Sequence, residues 1–260
     1  GQSGGLRVWD GSHGEPLHAI DCGGAWIQHL SWAPSGLLAC ASGKVISLWS
    51  PDGSPVRKLG PCSSTVTGLR WLIDGRLCST SYGMVSLWNP NLQSPQDFLP
   101  WTDSLLALTV SPNERFIAAA CQDSSIHLWF LSTGKDLHIG GYPAKAKSMD
   151  WSYDSRYPAT ASDQIVVVWD CKGDGPEGTE PKVIPVHQEA VRVVSFSHYS
   201  HRLGSASKDG LVFIYDINRN EPVAGLYNEA PVSTQAWSHN DKLIAIGGED
   251  GGLQICTLPS

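Results

Sequence analysis

Hydrophobic and polar positions alternate in short segments that recur along the whole chain. Each of seven such segments has an aromatic residue or a cysteine as its fourth residue, at Trp9, Trp49, Trp88, Trp129, Trp169, Tyr215 and Cys256. Successive positions in this series are separated by 40, 39, 41, 40, 46 and 41 residues. Alternation with a period of two is typical of a β-strand with two different faces. The sequence therefore predicts one such strand in every repeat.

Three more strands are predicted in each repeat. An inner strand precedes each of the last six segments and closes at Trp32, Trp71, Val110, Trp151, Phe196 or Trp237. A strand of small residues follows it, as at residues 37–42 and 117–121, and a shorter outer strand ends the repeat, as at 55–60 and 181–186. Four antiparallel strands in a repeat of about 40 residues are typical of a β-propeller blade.

This pattern resembles the WD-repeat family over essentially all of residues 1–258, and Trp9-Asp10 and Trp169-Asp170 keep the dipeptide that names it. The resemblance implies an all-β fold, a seven-bladed β-propeller of four-stranded antiparallel blades with the first blade incomplete. We expect residues 1–260 to form a single domain. Its predicted parts are a blade remnant at 1–20 and blades at 25–60, 64–100, 104–141, 145–186, 190–227 and 231–258.

The first predicted blade is incomplete at the N-terminus. Residues 1–10 supply a third strand and residues 15–20 a fourth, and no outer strand follows the last predicted strand at 253–258. In the family, an N-terminal segment closes the ring by adding that outer strand. We therefore expect a segment of about 40 residues, one repeat, to precede Gly1 in the native protein.

The resemblance also implies a structural hydrogen-bonded tetrad of His, Ser, Asp and Trp in each blade. One repeat approaches this tetrad, with His187, Ser205 or Ser207, and Asp209, while Tyr215 takes the place of the tryptophan. We expect these five residues to support the blade and to have no catalytic role.

Composition and charge exclude several classes of protein. The chain is 41% hydrophobic and 17% charged, which is typical of a globular protein, and its net charge of −7 without a basic cluster predicts no direct nucleic-acid binding. It has no apolar run long enough to span a membrane. Seven cysteines without CxxC spacing predict free thiols and a cytoplasmic or otherwise intracellular location.

Candidate binding residues lie in the predicted loops on one face of the propeller, where partners of WD-repeat proteins dock. Large aromatic side chains on a rigid rim anchor protein interfaces, and acidic companions favour a partner with a basic patch. The alternative is that some of these aromatic residues fold into blade junctions. The predicted partner-binding residues are Trp26, Tyr82, Trp101, Tyr142, Tyr227, Asp103, Glu189, Glu229 and Glu249.

Reactive chemistry is not indicated. We predict no catalytic residues, no cofactor and no metal site, because the sequence has no nucleophile elbow, paired carboxylates or metal motif. His198, His201 and His239 lie in adjacent predicted loops and fit either a metal site or, preferably, solvated turns. The irregular segment 171–181 is expected to be a surface loop that fits a flexible connection or a contact site.

These observations favour a scaffold or adaptor that holds other proteins as part of a complex, and not an enzyme. Two alternatives stay open. The chain could be a small-ligand receptor or enzyme that uses a central channel, or one subunit of an obligate assembly in which other segments recognise the partner.

Overall fold

The computed structural model describes residues 4–10, 13, 15–23 and 26–259. Every regular element in these ranges is a β-strand, which confirms the prediction of an all-β protein. The chain divides into two compact units, Gly1–Leu108 and Thr109–Ser260. Residues 1–3 and 260, at the ends of the predicted domain, lie outside the described residues, as do 11, 12 and 14 of the predicted blade remnant.

The first unit begins with a two-stranded hairpin of β1 (Gly5–Trp9) and β2 (Pro16–Asp21). A four-stranded antiparallel sheet follows, in the order β3-β4-β5-β6. The remaining strands are β7, β8 and β9. The bounds are β3 Ile27–Trp32, β4 Leu38–Ser42, β5 Val45–Trp49, β6 Pro55–Leu59, β7 Gly68–Trp71, β8 Leu77–Trp88 and β9 Asp97–Val110.

The second unit begins near the end of β9 and contains fourteen further strands in sequence order, β10 to β23. Two of its sheets are four-stranded, β13-β14-β15-β16 and β17-β18-β19-β20, and one is three-stranded, β21-β22-β23. The bounds are β10 Phe116–Cys121, β11 Ile126–Phe130, β12 Asp136–Ile139, β13 Ser148–Trp151, β14 Pro158–Ser162, β15 Ile165–Val168, β16 Lys182–Ile184, β17 Val191–Phe196, β18 Arg202–Ser207, β19 Leu211–Asp216, β20 Glu221–Tyr227, β21 Val232–Trp237, β22 Leu243–Gly248 and β23 Leu253–Thr257.

The predicted number of blades is wrong. The described residues form five sheets of three or more strands, not seven, and β1 and β2 pair as a separate two-stranded sheet. The strands of the predicted blades 64–100 and 104–141 belong to one six-stranded sheet, β7 to β12. The reason is that β9 runs without interruption over Asp97–Val110, through the position where these two blades were predicted to separate.

The four-stranded antiparallel blade itself is confirmed by three sheets. Their second strands, β4, β14 and β18, are rich in small residues and are almost completely buried. In the first unit, Ala39 and Ala41 pack in one apolar cluster with Leu69 and Trp88 from the following strands. Small side chains allow this close approach, and the larger residues of the neighbouring strands fill the remaining space.

Inner-strand tryptophans connect neighbouring sheets within each unit. The indole Nε1 of Trp71, at the end of β7, donates a hydrogen bond of 3.0 Å to the carbonyl oxygen of Ser31 in β3. In the second unit, Trp237 Nε1 donates in the same way to the Ser195 carbonyl oxygen, also at 3.0 Å. A buried indole needs such an acceptor. These contacts hold the inner ends of adjacent sheets in register.

Candidate functional site

The first unit brings three of the predicted binding residues together on the β8–β9 ladder. Tyr82 pairs with Ser104, and the ladder has a bulge between Tyr82 and Met84. Gly83, inside the bulge, has a φ of 78°, which favours glycine. The Tyr82 side chain is 57% exposed, while Trp101 and Asp103, on the facing strand, are half-buried. We call Tyr82, Trp101 and Asp103 the aromatic patch.

Backbone contacts fix the aromatic patch. The hydroxyl of Ser64 accepts a hydrogen bond of 2.8 Å from the Tyr82 N–H, and the Asp103 carboxylate accepts one of 2.6 Å from the Ser104 N–H. Trp26, the remaining predicted residue of this unit, lies directly before β3 and is 61% exposed. The exposed ring of Tyr82 is therefore held by hydrogen-bonded backbone.

The second unit brings four predicted residues to one end of the sheets β17–β20 and β21–β23. Tyr227 ends β20 and is 66% exposed, and Glu229 lies in the loop that follows. The Glu249 N–H donates to the Pro231 carbonyl oxygen at 2.8 Å, which joins that loop to the turn before β23. Glu189 lies two residues before the start of β17. We call Glu189, Tyr227, Glu229 and Glu249 the acidic patch.

One basic side chain contacts the acidic patch. Arg192 Nη2 lies 3.2 Å from Glu249 Oε1, with both side chains partly exposed. An ion pair of this kind contributes little to stability because water screens it. It does fix the position of the Glu249 carboxylate at the surface, where it can meet a partner.

Tyr142 has a structural contact inside its own sheet. Its hydroxyl oxygen accepts a hydrogen bond of 2.9 Å from Trp169 Nε1 and lies 3.2 Å from Thr160 Oγ1. Burial raises the pKa of the Tyr142 phenol above its ordinary value. The ring is half-buried, and its polar atom is already used by β14 and by the residue after β15.

Four of the five predicted tetrad residues form two separate pairs, and the fifth, Tyr215, contacts a residue outside the predicted tetrad. His187 Nε2 lies 2.8 Å from Ser205 Oγ, and the Ser207 hydroxyl donates to Asp209. The Tyr215 hydroxyl donates instead to Asn220 Oδ1, at 2.9 Å. Burial lowers the pKa of His187, and the nearby Asp209 carboxylate partly opposes this shift. A neutral imidazole in a buried pair stabilises the sheet.

The three loop histidines contact acidic or phenolic partners. His198 Nδ1 lies 2.9 Å from Asp241, His201 Nε2 lies 2.8 Å from Asp154, and His239 Nε2 lies 3.1 Å from the Tyr199 hydroxyl. No group of three or more potential metal ligands occurs in the described part of the chain. Within the same residues, no helix has the length and apolar character needed to cross a bilayer.

The segment 171–181 packs against the six-stranded sheet. Gly175 and Pro176 are buried, and a Cβ at Gly175 would lie 3.3 Å from the ring of Phe130. Lys135 Nζ lies 3.6 Å from Glu177 Oε2. An open groove of roughly 350 Å³ lies beside the segment, lined by Leu137, His138, Ile139, Gly140, Trp169, Pro176, Glu177, Gly178 and Thr179.

Comparison with known proteins identifies the repeat. A family model described as "WD domain, G-beta repeat" matches residues 95–129 and 178–216. The chain contains WD repeats. The resemblance seen in the sequence is therefore confirmed. The two matches end at Trp129 in β11 and Asp216 in β19, so each WD repeat closes on the third strand of a blade.

A curated relative also contributes to the comparison. Elongator complex protein 2 of Dictyostelium discoideum is 22% identical over 178 residues, which cover 59% of this chain and 20% of the relative. The WD-repeat chain therefore spans about a fifth of the length of that relative. The name of the relative describes a component of a multiprotein complex.

Sequence reasoning missed one recurring contact between side chains eighteen positions apart. His187 meets Ser205, Tyr142 meets Thr160, and Cys22 meets Cys40. The same eighteen-residue offset was present in the sequence and could have paired these residues. It was hidden because the three pairs are chemically different and only the first contains a histidine.

Proposed function

We propose that this WD-repeat chain is a protein-interaction scaffold within a larger complex and does not catalyse a reaction. The observation that carries the proposal is the exposure of two large aromatic rings, 57% for Tyr82 at a bulge inside β8 and 66% for Tyr227 at the end of β20. Hydrogen bonds to the backbone hold both positions. Aromatic anchors of this kind contribute much of the energy of protein interfaces, since they lose little side-chain entropy on binding.

The charge of the acidic patch supports a partner with a basic surface. Glu189, Glu229 and Glu249 lie at the same end of their sheets as Tyr227, and the whole chain has a net charge of −7. Complementary charge accelerates association and selects partners more than it adds affinity. Capture through the acidic patch should therefore weaken as the salt concentration rises.

Two further features belong to the proposal. We propose that the chain works as one domain inside the cell. Its seven cysteines, none of which forms a disulfide in the structure, agree with a reducing compartment. The similarity to a relative named as an Elongator complex protein supports membership of a complex.

The decisive experiment is affinity purification followed by mass spectrometry, repeated with single surface variants. Tyr82→Ala and Tyr227→Ala should each weaken capture of a specific partner by about tenfold or more. Tyr199→Ala is the matched control, because Tyr199 is 61% exposed and lies at the far end of β17 from Glu189. Equal capture by all three variants, with unchanged circular-dichroism melts, would contradict both patches.

A further inference from the structure

Two cysteines of the first unit lie in contact. The Sγ atoms of Cys22 and Cys40 are 3.7 Å apart, although eighteen residues separate them in the chain. Cys22 follows β2, where its N–H donates to the Gly4 carbonyl oxygen at 3.0 Å. Cys40 lies inside β4. Both backbones are thus held by hydrogen-bonded structure.

The contact follows from the repeat. Cys40 pairs with Ser47 across β4–β5, Thr160 with Val167 across β14–β15, and Ser205 with Phe213 across β18–β19. In each case an aromatic residue follows two positions after the second member of the pair. Cys22 and Cys40 therefore occupy the places that hydrogen-bonded side chains take in the other two sheets, and the fold forces them together.

The thiols do not reproduce the polar contact of those sheets. Trp169 Nε1 donates to the Tyr142 hydroxyl, whereas the buried Nε1 of Trp49, in the equivalent place, has no hydrogen-bond partner among the described residues. Apolar residues surround the pair, and Leu6, Ile20, Ile27 and Leu38 belong to the same cluster as Cys40. The two thiols therefore leave the Trp49 indole, within the described part of the chain, without the hydrogen bond that Trp169 makes. Unlike the side chains in the other two sheets, however, thiols can be oxidised.

We propose that Cys22 and Cys40 form a reversible disulfide when the protein meets hydrogen peroxide. The Cys22 thiolate attacks one peroxide oxygen, the O–O bond breaks, hydroxide leaves, and Cys22 becomes a sulfenic acid. The Cys40 thiolate then attacks the Cys22 sulfur, the S–O bond breaks, and a second hydroxide leaves as the S–S bond forms. Two thiols are oxidised and one peroxide is reduced to two waters.

The two cysteines have different roles because their surroundings differ. Cys22 is half-buried and can be reached by peroxide, whereas Cys40 is 1% exposed. Burial, followed by the nearby Cys22 sulfur, raises the pKa of the Cys40 thiol well above its ordinary value. The second step should therefore be slow at neutral pH and faster as the pH rises, since the thiolate is the attacking species.

The bond would connect two parts of the first unit covalently. It would join the connection between β2 and β3 to the middle of β4, and so restrain the β1–β2 hairpin against the sheet. Constraint of the unfolded chain by such a link raises the thermal midpoint of the linked region. Oxidation should therefore shift the melt of the first unit upward, and a thiol reductant should reverse the shift.

The test treats the folded protein with hydrogen peroxide, blocks free thiols by alkylation and maps the peptides. No Lys or Arg lies between Arg7 and Lys44, so trypsin leaves both cysteines in one peptide, and chymotrypsin is needed to cut at Trp26 or Trp32. We expect a Cys22–Cys40 linked pair, a loss of the mass of two hydrogen atoms, and reversal by dithiothreitol.

Three variants keep the test decisive. Cys22→Ser and Cys40→Ala should each abolish that mass loss, and Cys40→Ala should accumulate the sulfenic acid at Cys22, which a dimedone probe detects. Cys62→Ser is the matched control, because Cys62 is also half-buried, and it should leave the linkage intact. Linkage of other cysteines, dimers joined through Cys22, or unchanged mass loss in Cys40→Ala would each overturn the proposal.

Discussion

The sheets β13–β16 and β17–β20 place different side chains in equivalent positions. At β13–β16, the Tyr142 hydroxyl contacts both Thr160 and Trp169, so three side chains form one partly buried network. In β17–β20, His187 contacts Ser205, while the Tyr215 hydroxyl points to Asn220. A long phenol reaches two neighbours, and the shorter imidazole reaches one. The same backbone frame therefore accepts different polar side chains at equivalent positions.

The second strand is joined to the third differently in the two sheets. Ser162 pairs with Ile165, so two residues, Asp163 and Gln164, connect β14 to β15. The turn after β18 is longer, with Ala206 paired to Val212, and it contains Gly210 at a φ of 83°. In both sheets, the aromatic residue still lies two positions after the residue that pairs with Thr160 or Ser205. The longer connection therefore changes the turn and leaves this pairing unchanged.

The largest expected effect comes from breaking the longer turn. In Gly210→Ala, the new Cβ would overlap the carbonyl oxygen of Asn228, and the left-handed backbone would be strained as well. We expect a loss of about 3 kcal/mol in the free energy of unfolding, measured by chemical denaturation. Gly225→Ala is the control, because a Cβ there meets nothing within 4 Å. Equal stability of both variants would contradict the described turn.

A smaller effect is expected from removing one hydroxyl. Tyr142→Phe leaves the Nε1 of Trp169 without its acceptor, and we expect a loss of about 1–2 kcal/mol in unfolding free energy. Tyr153→Phe removes an exposed hydroxyl and should cost almost nothing. A double-mutant cycle with Trp169→Phe should give a non-zero coupling energy. Additive losses would show that the two side chains act independently.

The smallest expected effect is a pH dependence of the β17–β20 sheet. Because burial lowers the pKa of His187 in the folded state, the unfolded chain binds a proton more readily. The contribution of neutral His187 is present above its unfolded pKa of 6.5 and is lost as pH falls below that value. Denaturation from about pH 8 to about pH 5 should show this slope in the wild type and a weaker one in His187→Gln. Identical slopes would contradict the burial of a neutral imidazole.

Whether a predicted binding residue is exposed could not be decided from its neighbours in the sequence. The repeat suggested loops at Tyr82 and Tyr227, but Tyr82 lies at a bulge inside β8 and Tyr227 ends β20, both with exposed rings. Tyr142 is also a tyrosine, but its side chain turns inward because Thr160 and Trp169 provide hydrogen-bond partners for its hydroxyl. Local sequence does not distinguish these cases, since the deciding contacts lie eighteen and twenty-seven residues away.

The sequence by itself determined that the protein is built of antiparallel strands in a WD repeat, because the alternation of hydrophobic and polar residues and the spacing of the tryptophans are both visible along the chain. Tertiary structure decided how many sheets form, since β9 continues from Asp97 to Val110 where a separation was predicted. It also decided that Cys22 meets Cys40. Both outcomes depend on the pairing of strands that are distant in the sequence. The position of each strand is determined by the unpaired backbone groups and the apolar surface of the strands next to it.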